Sequence, residues 1–145
     1  MKNYYKLPLS TSRILQNKEA ETCTLEQSIF QFTHLLMTSY FGEYGYDESF
    51  GCEIWELDFN NLYSTKKLCH TISESLKKNL LVHEKRIRSV DITTNIVQDE
   101  FVGNNTHNRV KKRVDIKLVC RKTQTNETFT FNQCFYLAPF APYKS

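Results

Sequence analysis

The sequence predicts an α+β domain in which two helices pack on a three-stranded, mostly antiparallel sheet. Two observations lead to this fold class. Apolar residues recur at helical spacing in two stretches of the first half, and they alternate with polar residues in three stretches of the second half. Helices that precede strands, instead of alternating with them, are typical of this class. We expect one domain over residues 24–138, with tails at 1–23 and 139–145.

The first 23 residues carry no sustained hydrophobic period. Residues 12–20 are compatible with one or two helical turns. We interpret the segment as a tail that becomes ordered against another surface, such as a partner. At the other end of the chain, Pro139 and Pro142 end regular structure because proline lacks an amide donor.

The first helix is predicted to begin after Thr24 and to run to about Ser39, mostly buried. Thr24 and Gln27 have the spacing of a capping box, in which each side chain binds the backbone amide of the other residue. His34 falls on the polar side, so we interpret it as a surface or interface residue. The apolar stripe consists of Leu25, Ile29, Phe32 and Leu36, widened by Phe30, Leu35 and Met37.

A second helix is predicted over residues 65–82, capped by Ser64 or Thr65. A first strand follows over residues 87–96, where β-branched residues are frequent. The next two strands form an antiparallel hairpin around the turn at 123–127, and a polar loop at 103–108 precedes them. The helix stripe is Leu68, Ile72, Leu76 and Leu80, and the strands contribute Val110, Val114, Ile116, Leu118 and Cys120, then Phe129, Phe131, Phe135 and Leu137.

The segment from Thr38 to Phe59 links the two helices and is the most unusual part of the sequence. It contains three of the four glycines, the single tryptophan, and acidic residues that alternate with aromatic ones. Glycines in such a setting mark backbone that turns at positive φ or passes close to other backbone. We therefore expect an ordered surface loop, pinned by its rings, that serves in recognition.

Charge and cysteine content narrow the functional class. Residues 1–65 hold four basic and nine acidic side chains, whereas residues 66–145 hold fifteen basic and seven acidic ones. Surface patches of opposite charge are therefore available for docking to a partner or to another copy.

The five cysteines form no CxxC and no ligand spacing with histidine, which favours reduced thiols and no zinc site. Cys120 and Cys134 are predicted to lie on opposite sheet faces and not to bridge. Together with the lack of a membrane-spanning run, this indicates a cytoplasmic protein.

An enzymatic function and nucleic-acid binding are the two alternatives to a structural role. The carboxylates of the loop, Glu43 with Glu53 or Asp47, could serve as the paired acids of a cell-wall glycoside hydrolase. The basic strand could bind nucleic acid, although no reader motif accompanies it. A protein partner with an acidic surface explains the same strand equally well. The basic residues are Arg109, Lys111, Lys112, Arg113, Lys117, Arg121 and Lys122.

Several short motifs occur in an order that resembles the gene-25-like baseplate wedge family. The stretches SIFQFTHLLMTSYFGEYGYDESFG and HEKRI carry the resemblance, which covers about residues 28–96. The family includes the wedge protein of contractile phage tails and the TssE subunit of type VI secretion. The matching positions are Ser28-Ile29, Thr38, Gly42-Glu43, Phe50-Gly51 and Glu84/Arg86-Ile87. Two positions depart from the family pattern: Tyr44 replaces an arginine, and Lys85 replaces the proline of Glu-Pro-Arg.

The resemblance implies a structural, non-enzymatic baseplate subunit that joins other wedge proteins to sheath subunits within a multi-subunit assembly. It implies no cofactor, no small-molecule substrate, no nucleic acid and no membrane insertion. The residues expected to bind partners are Glu84, Arg86, Gly42, Glu43, Phe50 and Gly51. Glu84 and Arg86, two residues apart where a helix meets a strand, are expected to clasp a neighbouring subunit as exposed charges.

Overall fold

The computed structural model describes residues 4–57, 64–101 and 109–137 and confirms the predicted α+β class. Two long helices lie on one face of an antiparallel sheet with strand order β3-β4-β5, and a separate two-stranded sheet pairs β1 with β2. The predicted loop at 103–108 and the tail at 139–145 lie outside the described residues. The elements are β1 Tyr4–Tyr5, α1 Thr11–Leu15, β2 Thr22–Cys23, α2 Leu25–Thr38, α3 Ile54–Leu57, α4 Thr65–His83, β3 Ile87–Phe101, β4 Arg109–Lys122 and β5 Thr128–Leu137.

Helix α2 begins and ends where the sequence predicts. The capping box is present: the Gln27 amide donates to Thr24 Oγ1 at 3.3 Å, and the Thr24 amide donates to Gln27 Oε1 at 3.1 Å. The prediction that α2 is mostly buried is wrong for two of its apolar residues. Phe30 and Leu35 stay 38% and 47% exposed, because the sheet fully covers only the side of the helix that carries Ile29, Thr33, Leu36 and Met37. At the margin of that side, Phe30 still contacts the ring of Phe131 on β5.

Helix α4 confirms the second predicted helix and extends it by one residue, to His83. The Ser64 side chain caps it by accepting the Lys67 amide at 3.4 Å. The predicted stripe of Leu68, Ile72, Leu76 and Leu80 is buried, and Ser73 on the adjacent side hydrogen-bonds Thr94 of β3 at 2.7 Å. The stripe therefore fixes α4 on the half of the sheet nearest β3.

The sheet alternates as expected, with one face toward the helices and the other toward solvent. Val114, Ile116, Leu118 and Cys120 are buried, while Lys117 and Arg121 at alternate positions are exposed. Strand β3 is longer than predicted and reaches Phe101, because its pairing with β4 continues along the whole of that strand. The β4–β5 hairpin around residues 123–127 is confirmed.

The cysteines are unpaired thiols in unlike surroundings. Cys120 is buried and Cys134 is exposed, so their predicted opposite directions are confirmed. Burial raises the pKa of the Cys52 thiol to about 11 and that of Cys120 to about 12. Both are therefore protonated at neutral pH and act as small apolar core residues.

The N-terminal segment, from residue 4 onward, is ordered against other parts of this chain. Tyr4 pairs with Cys23 in the small sheet, and the Lys6 amide donates to the Glu21 carbonyl at 2.9 Å. The Leu7 amide donates to the Gln31 side chain of α2 at 3.1 Å. Residues 4–23 thus form a two-stranded arm along the side of α2 that the main sheet covers only in part. None of the helices in the described ranges is long and apolar enough to cross a membrane.

Candidate interaction site

The loop between α2 and α4 is ordered, as the sequence predicts, and hydrogen bonds of its backbone hold it in addition to its rings. The Gly42 amide donates to the Glu48 carbonyl at 3.1 Å, and the Cys52 amide donates to the Ser39 carbonyl at 2.9 Å. The Glu43 carboxylate accepts the Tyr40 amide at 3.1 Å. Residues 39–53 therefore form a closed loop held by internal hydrogen bonds, and its two ends lie side by side at the end of α2.

Gly51 is the position where this loop cannot accept a side chain. Its φ is +150°, and a Cβ atom would lie 2.8 Å from the Tyr40 carbonyl carbon and 2.9 Å from the Phe41 nitrogen. Both are backbone atoms, so neither can move aside without distorting the loop. Gly42 also has a positive φ, +81°, but open space surrounds it. Both expected reasons for glycine, a turn and a close approach, are present in the loop.

Phe50 stands at the centre of an aromatic cluster that joins the loop to both long helices. Its ring lies 5.8 Å from that of Phe32 on α2, 5.8 Å from that of Tyr44, and 5.3 Å from that of His83 on α4. These edge-on contacts pack the inner side of the loop. Its outer side holds tyrosines in solvent, with Tyr46 93% exposed and Tyr40 and Tyr44 about half exposed.

His83 and Asp47 form a second link between the loop and α4, which the sequence analysis missed. His83 Nδ1 lies 3.6 Å from Asp47 Oδ2. Hydrogen bonds from the Ser49 side chain and amide, and secondarily the nearby His83, lower the pKa of Asp47. Asp47 is therefore ionised at neutral pH. The sequence offered no signal for this pair, because its two members lie far apart in the chain and on different elements.

Glu84 and Arg86 form an internal clasp instead of two exposed charges. The Arg86 side chain donates to both carboxylate oxygens of Glu84, at 2.8 and 2.6 Å, and the Arg86 amide donates to one of them at 3.0 Å. Glu84 is only 3% exposed, so the expectation of an exposed pair is wrong for it. The hydrogen bond to Glu84 raises the pKa of Arg86. The pair lies in the turn where the family pattern has a rigid proline and this chain has Lys85.

The clasp also ties the α4–β3 turn to the start of α2 and to the N-terminal arm. Arg86 donates to Ser28 Oγ at 2.8 Å, and its guanidinium lies 5.2 Å from the centre of the Tyr4 ring. Ser28 is part of the motif found in sequence, whereas Tyr4 gave no signal there. The structure thus brings Gly42, Glu43, Phe50 and Gly51 together in the loop. Arg86, held by Glu84, contacts the start of α2 instead.

The two chemical alternatives find little support in this geometry. Glu43 is already engaged as a backbone acceptor in the loop. Arg113 pairs with Asp115 at 2.9 Å. Lys122, one of the residues of the basic strand, is buried on the inner side, where it pairs with Glu26 and with Glu127. The described ranges contain no group of three or more histidine, cysteine or carboxylate side chains suited to a metal ion.

Comparison with protein families shows which family the chain belongs to. The family described as baseplate wedge protein gp25 matches residues 23–123. The chain belongs to this family. The resemblance carried by the short motifs is thereby confirmed, and all six residues expected to bind partners lie within the matched region. Residues 4–22 of the N-terminal arm and strand β5 lie outside the region matched to the gp25 family.

Two solved structures are similar to this gp25-family chain in fold. One is the crystal structure of a Geobacter sulfurreducens protein named as a tail lysozyme, 20% identical, with a TM-score of 0.58, covering 85% of this chain and 100% of that one. The other is the baseplate of the anti-feeding prophage, 18% identical, with a TM-score of 0.50 and coverages of 78% and 83%. No curated protein matches the chain.

Proposed function

We propose that the chain is a structural, non-enzymatic component of the baseplate of a contractile injection system, similar to TssE, and that it joins wedge proteins to the sheath in the cytoplasm. Membership of the baseplate wedge family carries the proposal. The likeness of the fold to a chain of the anti-feeding prophage baseplate agrees with it.

The loop supplies a surface suited to binding wedge proteins. Tyr40, Tyr44 and Tyr46 project into solvent from a backbone that Gly51 and the Phe50 cluster hold rigid. Tyrosine is enriched among the residues that dominate binding energy, since a large ring is buried at little entropic cost. Gly42, Glu43, Phe50 and Gly51 would act by fixing the loop that presents these rings.

The turn at Glu84 and Arg86 is a second proposed contact. Glu84 is sealed inside, so only the exposed part of Arg86, whose side chain is 29% exposed, is available to a partner. A guanidinium already held by a carboxylate and a hydroxyl is preorganised to receive a carbonyl or carboxylate from outside. The proposed contact is therefore made by Arg86 and supported by Glu84.

The edge of β5 supports the proposed link to the sheath. Within the described ranges β5 pairs only with β4, so its other edge offers unpaired backbone groups. Such an edge can receive a strand from another protein, with backbone hydrogen bonds supplying affinity. An interface of this kind would leave the loop free for wedge proteins at the same time.

The test is reconstitution with the wedge and sheath proteins of the same injection system. We expect the full chain to co-purify with them. Tyr40→Ser with Tyr46→Ser removes two exposed rings and should weaken capture of a wedge protein by roughly tenfold or more, as loss of two aromatic anchors does. Tyr5→Ser, which removes another exposed ring from the N-terminal arm, is the matched control. Failure of the wild-type chain to join either partner would overturn the proposal.

The absence of enzymatic activity is tested separately, since one similar structure is named as a tail lysozyme. Purified protein should release no more soluble sugar from peptidoglycan than buffer does. Glu43→Gln should leave this background unchanged, because the amide oxygen still accepts the Tyr40 amide. Turnover by the wild type that disappears in Glu43→Gln would establish a glycoside hydrolase instead.

A further inference from the structure

A groove runs along the side of α2 that the sheet covers only in part. One part, of about 1180 Å³, lies between α2 and the N-terminal arm and includes Leu7, Pro8 and Phe30 in its lining. A second part, of about 530 Å³, lies between α2 and the loop and includes Phe32 and Phe50. Leu35 lines both, so the two parts adjoin at its side chain.

The groove has the dimensions of a site for a helix. The α2 residues along it run from Gln27 to Thr38, a span of about 17 Å at the rise of an α-helix. Three apolar side chains remain 38 to 47% exposed along this length: Leu7, Phe30 and Leu35. Apolar side chains in a groove of this length match the spaced anchors of an amphipathic helix.

The two ends of the groove differ in charge. Residues 39–53, at the loop end, hold four acidic side chains and no lysine or arginine. Glu43 and Asp47 line this end directly, and the negative pole of the α2 dipole points toward it. At the arm end, Lys6 pairs with Glu21 at 3.3 Å, and Arg13 pairs with the same carboxylate at 2.9 Å. These three side chains at the arm carry a net charge of +1, whereas the loop end is strongly negative.

We propose that this groove binds an amphipathic helical segment of a neighbouring subunit, with its apolar face on Leu7, Phe30 and Leu35 and its basic residues at the end next to the loop. The charge difference fixes the direction of the bound helix, since the reversed orientation would leave the acidic end without cations. That the helical segment belongs to a neighbouring baseplate subunit rests on the proposed function. The apolar and basic character of the segment is inferred from the groove alone.

The direct test selects from a displayed library of helical peptides of about 14 residues, a length that covers the groove. Each peptide carries leucines at helical spacing, and both ends are randomised. Selection on the wild-type chain should enrich lysine or arginine at one end only. Enrichment with no basic bias, or with the same bias at both ends, would overturn the proposal.

Variants assign the binding to the groove. Leu35→Ser changes a half-exposed side chain and should reduce affinity for the selected peptides about tenfold, as loss of a central apolar anchor does. Glu43→Gln with Glu48→Lys keeps the hydrogen bond to Tyr40, removes negative charge from the loop, and should lower affinity by a similar factor. Asp91→Lys, on the outer sheet face, is the control and should bind as the wild type does. Equal binding by all variants would overturn the proposal.

Two further measurements separate this inference from the proposed function. If Leu35→Ser enters reconstituted baseplate complexes as well as the wild type, the groove is not used there, and the inference fails while the proposed function stands. If the wild type enters none, the proposed function fails, and with it the source of the segment. Wild-type self-association that Leu35→Ser abolishes would identify a second copy as the occupant and overturn the inference.

Discussion

Among single residues, Glu84 and Arg86 form a charge pair in unequal surroundings. The Glu84 side chain is 4% exposed and that of Arg86 is 29% exposed. Removing the arginine leaves a sealed carboxylate with only the Arg86 amide as a donor. Removing the glutamate leaves a guanidinium that water reaches and that Ser28 still binds. The two losses should therefore differ.

We expect Arg86→Met to lower the free energy of unfolding by about 3 kcal/mol and Glu84→Gln by about 1 kcal/mol, because an unpaired charge costs more where water is excluded. Urea denaturation of the purified variants measures both. Arg88→Met, at an exposed position whose guanidinium contacts Asn126 at 3.2 Å, serves as the control and should change little. Equal losses for the two clasp variants, or a larger one for Glu84→Gln, would contradict the clasp.

Among the elements, the loop between the long helices depends on its glycines to different degrees. Gly51→Ala places a Cβ against fixed backbone and should cost about 3 kcal/mol. Gly42→Ala meets no atom but adopts a left-handed φ, for which about 1 kcal/mol is expected. Gly45→Ala has open space and no such φ, so its effect should be within about 0.5 kcal/mol.

Thermal unfolding of the three alanine variants gives this order directly. Binding of a wedge protein should fall in the same order, since Gly51 keeps the tyrosines in place. A Gly51→Ala variant that melts with the wild type would show that the loop ends are not in contact in solution. A Gly45→Ala variant as damaged as Gly51→Ala would mean that loop flexibility, not the close approach, is what matters.

Most elements could be predicted because their signals are local. The capping box joins Thr24 to a residue three positions later, and the stripes of α4 and of the strands repeat every two to four residues. The contacts that join elements could not be predicted in this way. Arg86 reaches Ser28 across 58 residues, and the N-terminal arm binds Gln31 through a backbone amide that has no side-chain signature. The exposure of Phe30 and Leu35 was missed because a stripe does not reveal how much of it the sheet covers.

On the scale of the whole molecule, Lys122 ties together elements from both halves of the chain. Its amine pairs with Glu26 on α2 and with Glu127 in the β4–β5 turn, at 2.9 Å for the latter. Hydrogen bonds from Lys122 lower the pKa of each carboxylate below 4.5. A carboxylate whose pKa is lowered by folding contributes stability above its unfolded pKa, and the contribution is lost as pH falls through the folded value.

Stability should therefore fall as the pH decreases from about 5 to about 3, and Lys122→Met should make this fall shallower. The measurement is the free energy of unfolding from urea titrations at several pH values. Lys117→Met, at an exposed position on the outer sheet face, should leave the pH dependence unchanged. If the free energy of unfolding has the same pH dependence in the wild type and in Lys122→Met, the ion pairs of Lys122 with Glu26 and Glu127 do not contribute to acid sensitivity.

The contact between the first long helix and the last strand has a consequence for the order of synthesis. Phe30 packs on Phe131, and the Gln133 side chain donates to the Phe30 carbonyl across 103 residues of chain. At a translation rate of 5–20 residues per second, β5 leaves the ribosome roughly 5–20 s after α2. Throughout that interval α2 can form as a helix, but the strand that covers it does not yet exist, so the nascent chain presents its apolar side to whatever binds first.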